Sequence, residues 1–296
     1  MGLVGRRLAT GLTALAVTCA SAGTGHAAST PAPIAALALN AKYVALGDSF
    51  TSSPMTGMPV GEPVGCARTQ NNYPRQVAAT LRVTDFIDVS CGSATTRDLF
   101  AAQNVLGGSN APQLDAVDAG TSLVTVGIGG NDLGLMGWFQ RCADLAASNC
   151  IDQWAPGEPD VLVQRISKIA VSLDRALALI HHRAPLAKVL VVGYPVVAPD
   201  AGIGCLPQLP IDDSDVAYLR DLQQRLNEML AWAAAMNGAT YVDTYSPSIG
   251  HDPCQMDGVK WIEGMIPDNP ASALHPNLMG QVAIADEVLA SMGVYR

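Results

Sequence analysis

Lys42-Tyr43-Val44-Ala45-Leu46-Gly47-Asp48-Ser49-Phe50 is an apolar run that stops on Gly, Asp and Ser. Such a run reads as a buried strand with a sharp turn at its carboxyl end. The pattern recurs at Asp85–Cys91, Ser122–Ile128, Lys188–Gly193 and Thr240–Asp243, each rich in Val, Ile, Leu or Tyr and running into Gly, Asp, Ser or Pro. Between these runs the apolar residues take helical spacing: Tyr73–Leu81 after Asn72, Val161–His182 before Pro185, Asp215–Met236 after Asp212, Asp213 and Ser214, and Asn277–Met292. Asn, Asp and Ser are the side chains that cap exposed N–H groups at a helix start. Strands alternating with helices predict an α/β fold of three layers, α/β/α, around a five-stranded parallel sheet covered on both faces. The long connections Gly129–Asp160 and Pro195–Ile211 follow strand ends, where such sheets bind ligands.

The 296 residues are 49% hydrophobic and 15% charged, which supplies a large core and excludes a wholly disordered chain. A net charge of −9 opposes the phosphate backbone, so no nucleic-acid partner is expected. Aromatics at 5% are too few for an extensive stacking platform for single strands or sugars. At the amino end, Arg6-Arg7 precede an uncharged stretch, Leu8–Gly25, and small residues stand at Gly25 and Ala27. This is the pattern of a secretory signal peptide over residues 1–27. As a membrane anchor the stretch would be near the minimum length and diluted by Gly, Ser and Thr. Residues 28–40 then form a lead-in and 41–296 a single domain, destined for the extracellular space or the cell envelope.

Beyond the signal peptide stand Cys66, Cys91, Cys142, Cys150, Cys205 and Cys254. An even count in an exported chain predicts disulfides, with fifteen pairings open for six cysteines. Cys142 and Cys150 close a short loop and make the simplest pair. A zinc site competes weakly, since no Cys-x-x-Cys or His-x-x-x-His pair is present.

Ser49 lies just past the first strand, where a hydroxyl and a backbone N–H meet one space. The plain alternative is an ordinary helix cap. Gly129-Gly130-Asn131-Asp132, at the third strand's exit, lets the backbone approach closely and presents the Asn131 amide. Convergent N–H donors at such a point make an oxyanion hole. A phosphate cradle would need a following Gly-Lys-Ser/Thr, which is absent. A serine nucleophile needs a base. His181 and His182 close a helix, where its dipole favours them. His251, in Gly250-His251-Asp252-Pro253-Cys254, competes with His275, which precedes the last helix and can reach the sheet edge that bears Ser49.

Taken in order, these blocks resemble the SGNH (GDSL) hydrolase family: Gly47-Asp48-Ser49 its nucleophile block, Gly92 its glycine block, Gly129-Gly130-Asn131-Asp132 its Gly-x-Asn-Asp block, and His275 its terminal histidine. Cys66-Ala67-Arg68, Asn72-Tyr73-Pro74, Ser90–Thr96 and Gly250–Cys254 are similar to the branch of secreted bacterial lipases and esterases with three disulfides. The resemblance implies a flavodoxin-like sheet and the pairings Cys66–Cys91, Cys142–Cys150 and Cys205–Cys254. It implies a serine esterase or lipase acting on lipid or short-chain acyl esters. Ser49 is then the nucleophile and His275 the base. The Ser49 and Gly92 N–H groups and the Asn131 amide hold the oxyanion. No cofactor or metal is called for. The expected partner is a small-molecule or lipid ester, met by a monomer in transient contact with lipid surfaces. A carbohydrate O-acetyl esterase and a non-catalytic lipid- or glycan-binding protein are the alternatives. Met55, Met58, Leu135, Met136, Trp138 and Phe139 are apolar enough to meet an acyl chain. The family usually places Asp three residues before its histidine, where this chain has Ser272. The expected substitute is the Ser272 carbonyl, with Asp268 as a second choice.

Overall fold

The computed structural model describes residues 1–2, 41–143, 150 and 161–296. Apart from Met1 and Gly2, the expected signal peptide and lead-in lie outside the described residues, as does most of 144–160. Seven strands are described: β1 (Lys42–Gly47), β2 (Asp85–Asp88), β3 (Gln103–Val105), β4 (Gly108–Asn110), β5 (Thr121–Gly127), β6 (Lys188–Val192) and β7 (Thr240–Val242). Five of them pair in parallel in the order β2-β1-β5-β6-β7. Ranked by their place in the chain these are 2-1-3-4-5, the flavodoxin-like order. The small antiparallel hairpin β3-β4 was not predicted, because its polar residues carry no alternating apolar signal.

The helices are α1 (Ser49–Ser52), α2 (Tyr73–Leu81), α3 (Gly130–Leu133), α4 (Leu135–Cys142), α5 (Val161–Arg183), α6 (Asp213–Met236) and α7 (Leu278–Ala290). Side chains along a strand alternate between faces, so the central strands feed two cores. On one face Tyr43, Ala45, Leu123 and Leu190 pack against Val77 of α2 and Ile284 and Val288 of α7. On the other, Val44, Leu46, Val124 and Val126 pack against Ile169 and Leu173 of α5 and Leu222 and Leu226 of α6. Three helix starts follow the capping residues read in the sequence. Asn72 accepts the Arg75 N–H at 3.2 Å, Asp212 the Ser214 N–H at 2.9 Å, and Asn277 the Gly280 N–H at 3.1 Å. The Asp212 cap starts α6 at Asp213 rather than at Asp215.

β2 stops at Asp88 although the apolar pattern runs to Cys91. The Asp88 carboxylate accepts the Ser90 N–H at 3.1 Å and its hydroxyl at 2.6 Å, which bends the chain. The backbone nonetheless stays beside β1: Val89 N–H donates to Ala45 O and Cys91 N–H to Gly47 O, each at 3.0 Å. Cys91 therefore ends beside the exit of β1. Disulfides join Cys66–Cys91, Cys142–Cys150 and Cys205–Cys254, the pairings the resemblance implies. Among the described residues no helix is long and apolar enough to cross a membrane.

Candidate active site

β1 leaves the sheet at Gly47, whose φ of +156° and tight surroundings suit glycine: a Cβ there would lie 2.6 Å from the Gly127 carbonyl oxygen of β5. Asp48 follows, and its Oδ1 accepts the Phe50 N–H at 2.9 Å, capping α1. Ser49 is thus the first residue of a short helix at the sheet's carboxyl edge, 8% exposed. Burial pushes the Asp48 carboxyl up to about 7, while the Tyr194 hydroxyl on its Oδ2 pulls the other way.

His275 arrives from the far end of the chain. Its Nε2 lies 2.7 Å from Ser49 Oγ, across 226 sequence positions. Its Nδ1 lies 2.7 Å from the Ala273 carbonyl oxygen. A carbonyl only accepts, so Nδ1 carries the proton and Nε2 is the bare nitrogen facing the serine. The expected Ser272 carbonyl does not orient the ring; it accepts the His275 backbone N–H at 3.1 Å. Asp268 does not orient it either, being held by Lys260 and, at 3.0 Å, by the Gln208 amide. Leu274 at φ +60° turns the chain so that the imidazole folds back on the carbonyl two residues earlier. The loop is pinned by Glu263 N–H donating to His275 O at 3.0 Å and by Leu274 N–H donating to Gly264 O at 3.3 Å. Burial holds the imidazole below its ordinary value of 6.5, although the Ala273 contact acts in the opposite sense. The Phe50 ring covers it at 4.9 Å. The competing His251 stacks on Trp261 at 3.9 Å, and His181 and His182 sit in the last turn of α5.

The glycine block departs from expectation. The Gly92 N–H donates to the Cys66 carbonyl at 2.9 Å, so it is engaged within the protein and does not face Ser49 as a free donor. The next residue, Ser93, takes the left-handed conformation at φ +61°. Its N–H meets no acceptor among the described residues. Asn131, in α3, donates one amide hydrogen to the Ala94 carbonyl at 2.9 Å, which leaves its second N–H. Asp132 accepts the Thr96 N–H at 2.9 Å and the Thr96 hydroxyl at 2.6 Å. Both residues of the block therefore clamp the 94–96 segment beside Ser93.

Ser49 and Asn131 share the wall of a pocket of about 350 Å³, counting its open mouth, with Leu135, Met136, Phe139, Tyr194, Val197 and Gln223. Leu135, Met136 and Phe139 were expected here. Trp138 faces a different hollow beside Arg141 and Arg165, and Met55 and Met58 are exposed outside the pocket wall. Sequence reasoning missed Ala273, Ser93 and Tyr194. The first two contribute main-chain groups, which side-chain identity does not advertise. Tyr194 was within reach, as an aromatic just past a strand end in Gly193-Tyr194-Pro195.

Known proteins are similar to this chain in sequence and fold. The chain is 35% identical to Lipase 2 of Streptomyces coelicolor over 298 residues, 97% of this chain and 95% of that protein. It is 29% identical to an esterase of Streptomyces scabiei over 96% of this chain and 93% of that one. Among solved structures, phospholipase A1 from Streptomyces albidoflavus superposes with a TM-score of 0.69 at 26% identity, covering 86% of this chain and 98% of that one. The extracellular lipase of Streptomyces rimosus gives 0.66 at 28% identity, with the same coverage of 86% and 98%. Residues 45–283 match the GDSL-like Lipase/Acylhydrolase family, and the chain belongs to that family.

Proposed function

We propose that the protein is an exported serine esterase or lipase that hydrolyses carboxylic esters through an acyl-enzyme on Ser49. The observation that carries this is the 2.7 Å contact between Ser49 Oγ and His275 Nε2, with Nδ1 tied to the Ala273 carbonyl. His275 takes the hydroxyl proton as Ser49 Oγ attacks the ester carbonyl. The tetrahedral oxyanion is held by the Ser49 N–H, the second amide hydrogen of Asn131 and the Ser93 N–H, which stands in for the engaged Gly92. His275 then returns the proton to the leaving alcohol, and water releases the acyl group by the same route. Ala273 supplies no negative charge, so the imidazolium is stabilised less than beside a carboxylate. Leu135, Met136 and Phe139 form an apolar wall suited to an acyl chain. That wall, and relatives named lipase and phospholipase A1, favour lipid esters as substrates. The three disulfides suit an oxidising compartment, in keeping with export.

The test is hydrolysis of p-nitrophenyl esters of rising chain length, together with fluorophosphonate labelling. Ser49→Ala is expected to lose about 10⁶-fold in kcat and all label. Asn131→Ala is expected to lose about 10²–10³-fold. Retention of wild-type turnover by Ser49→Ala would overturn the reading.

A further inference from the structure

Tyr194 follows β6 and is buried, 2% exposed. Its hydroxyl donates to Asp48 Oδ2 at 2.5 Å and accepts the Gly130 N–H at 2.9 Å. One oxygen therefore bridges the residue before Ser49 and the residue before Asn131. The Tyr194 ring packs tightly on Gly130, where a Cβ would sit 3.2 Å from it. The ring also meets Phe50 edge-on at 5.1 Å, and Phe50 in turn covers His275.

The backbone of Tyr194 is held as firmly as its hydroxyl. Asn227 of α6 accepts the Tyr194 N–H at 2.9 Å and returns an amide hydrogen to the Tyr194 carbonyl at 2.9 Å. Gln223, one turn earlier on α6, donates to the carbonyls of Tyr194 and Pro195 and accepts the Val197 N–H at 3.1 Å. Gln223 and Asn227 are 2% and 6% exposed, and polar side chains buried this deeply are costly unless their hydrogen bonds are met. Here each spends those bonds on the segment that carries Tyr194.

We infer that Tyr194 is a positioning residue for the ester hydrolysis proposed above: its hydroxyl ties the Ser49 turn to the Asn131 helix and so fixes the distance between the nucleophile and the oxyanion donor. Neither neighbour replaces it. Asp48 Oδ1 is already spent on the Phe50 N–H, and the Asn131 side chain is turned toward Ala94. Removing the hydroxyl leaves a buried N–H and a buried carboxyl oxygen without their shared partner, and the two blocks are then free to drift. Errors of this kind in reacting geometry are costly, about 10²-fold for a misplacement near 1 Å.

The inference rests on Ser49 being the nucleophile, so Ser49→Ala is carried as a control. Equal turnover in that control would sink the functional reading rather than this one. The test compares Tyr194→Phe, Asp48→Ala and the double variant, using p-nitrophenyl butyrate and kcat per active site titrated with fluorophosphonate. Tyr194→Phe keeps the ring and is expected to lower kcat per site by about 10²-fold, with KM little changed and labelling slowed in proportion. Asp48→Ala removes the same bridge from its other end, together with the Phe50 cap; an Asn there would keep a bridge, because its amide can donate to the Tyr194 oxygen. The double variant is then expected to be no slower than the slower single variant, since the bridge is lost only once. Should Tyr194→Phe fail to fold, Asp48→Ala alone decides, by a loss in kcat per site with cooperative melting retained. Turnover within about twofold of wild type in the folded single variant, or losses that multiply in the double variant, would overturn the inference.

Discussion

In the proposed reaction the residue that sets the working pH range is His275. Burial lowers its pKa, and its partner is a neutral carbonyl that adds no charge to raise it far. A base must be unprotonated to accept the Ser49 proton, so the acid limb of kcat/KM is expected below pH 6.5, the ordinary imidazole value. A pH–rate profile checks this, and a limb at about 7 would instead report the buried Asp48 carboxyl. Ser93 offers a second residue-scale test. An L-residue in the left-handed region costs about 1–2 kcal/mol, so Ser93→Gly is expected to stabilise the fold by about 1 kcal/mol in urea unfolding. The N–H survives that change, so turnover is expected to persist. At this scale the sequence was partly legible. Ser49, His275 and Asn131 announce themselves by side-chain chemistry. Ala273, and Ser93 in the proposed reaction, act through main-chain groups that every residue carries, which side-chain identity does not advertise. Gly92 misled because a glycine at a strand exit signals close approach without saying to what; here the approach is to Cys66.

Among the elements, the strand exits do the positioning, and their legibility tracks their patterning. β1 and α2 keep the predicted limits because an apolar run or an Asn cap marks each boundary. β2 ends early because one carboxylate, Asp88, competes for the backbone, and a hydrophobic pattern does not register a local polar contact. The Cys66–Cys91 disulfide fastens this exit to the loop after β1, and the Gly92–Cys66 hydrogen bond lies beside it. Replacing both cysteines by alanine is expected to cost about 2–5 kcal/mol in stability and to lower kcat, since Gly92 and Ser93 follow Cys91 in the chain. Thermal melts and turnover of the doubly substituted protein check both effects. Loss of stability with kcat intact would remove this exit from the oxyanion site.

For the whole molecule, the buried Asp48 makes folding depend on pH. Its folded pKa, about 7, lies above the ordinary 3.8 because burial disfavours the charge. Between those values the folded chain binds more protons than the unfolded one, so stability falls as pH rises through that window. Denaturant titrations from pH 4 to pH 8 on wild type and Asp48→Asn are expected to differ in this slope, the variant being flatter; parallel curves would assign the effect elsewhere. Layers and strand order were readable in advance because alternating strand and helix patterns leave few arrangements. The meeting of distant blocks was readable only through their order along the chain. That meeting has a temporal side. Ser49 is synthesised 226 residues before its partner, so a polypeptide still on the ribosome holds a hydroxyl with nothing to draw off its proton. Ester cleavage through the proposed pair therefore waits until the final loop is translated and docked.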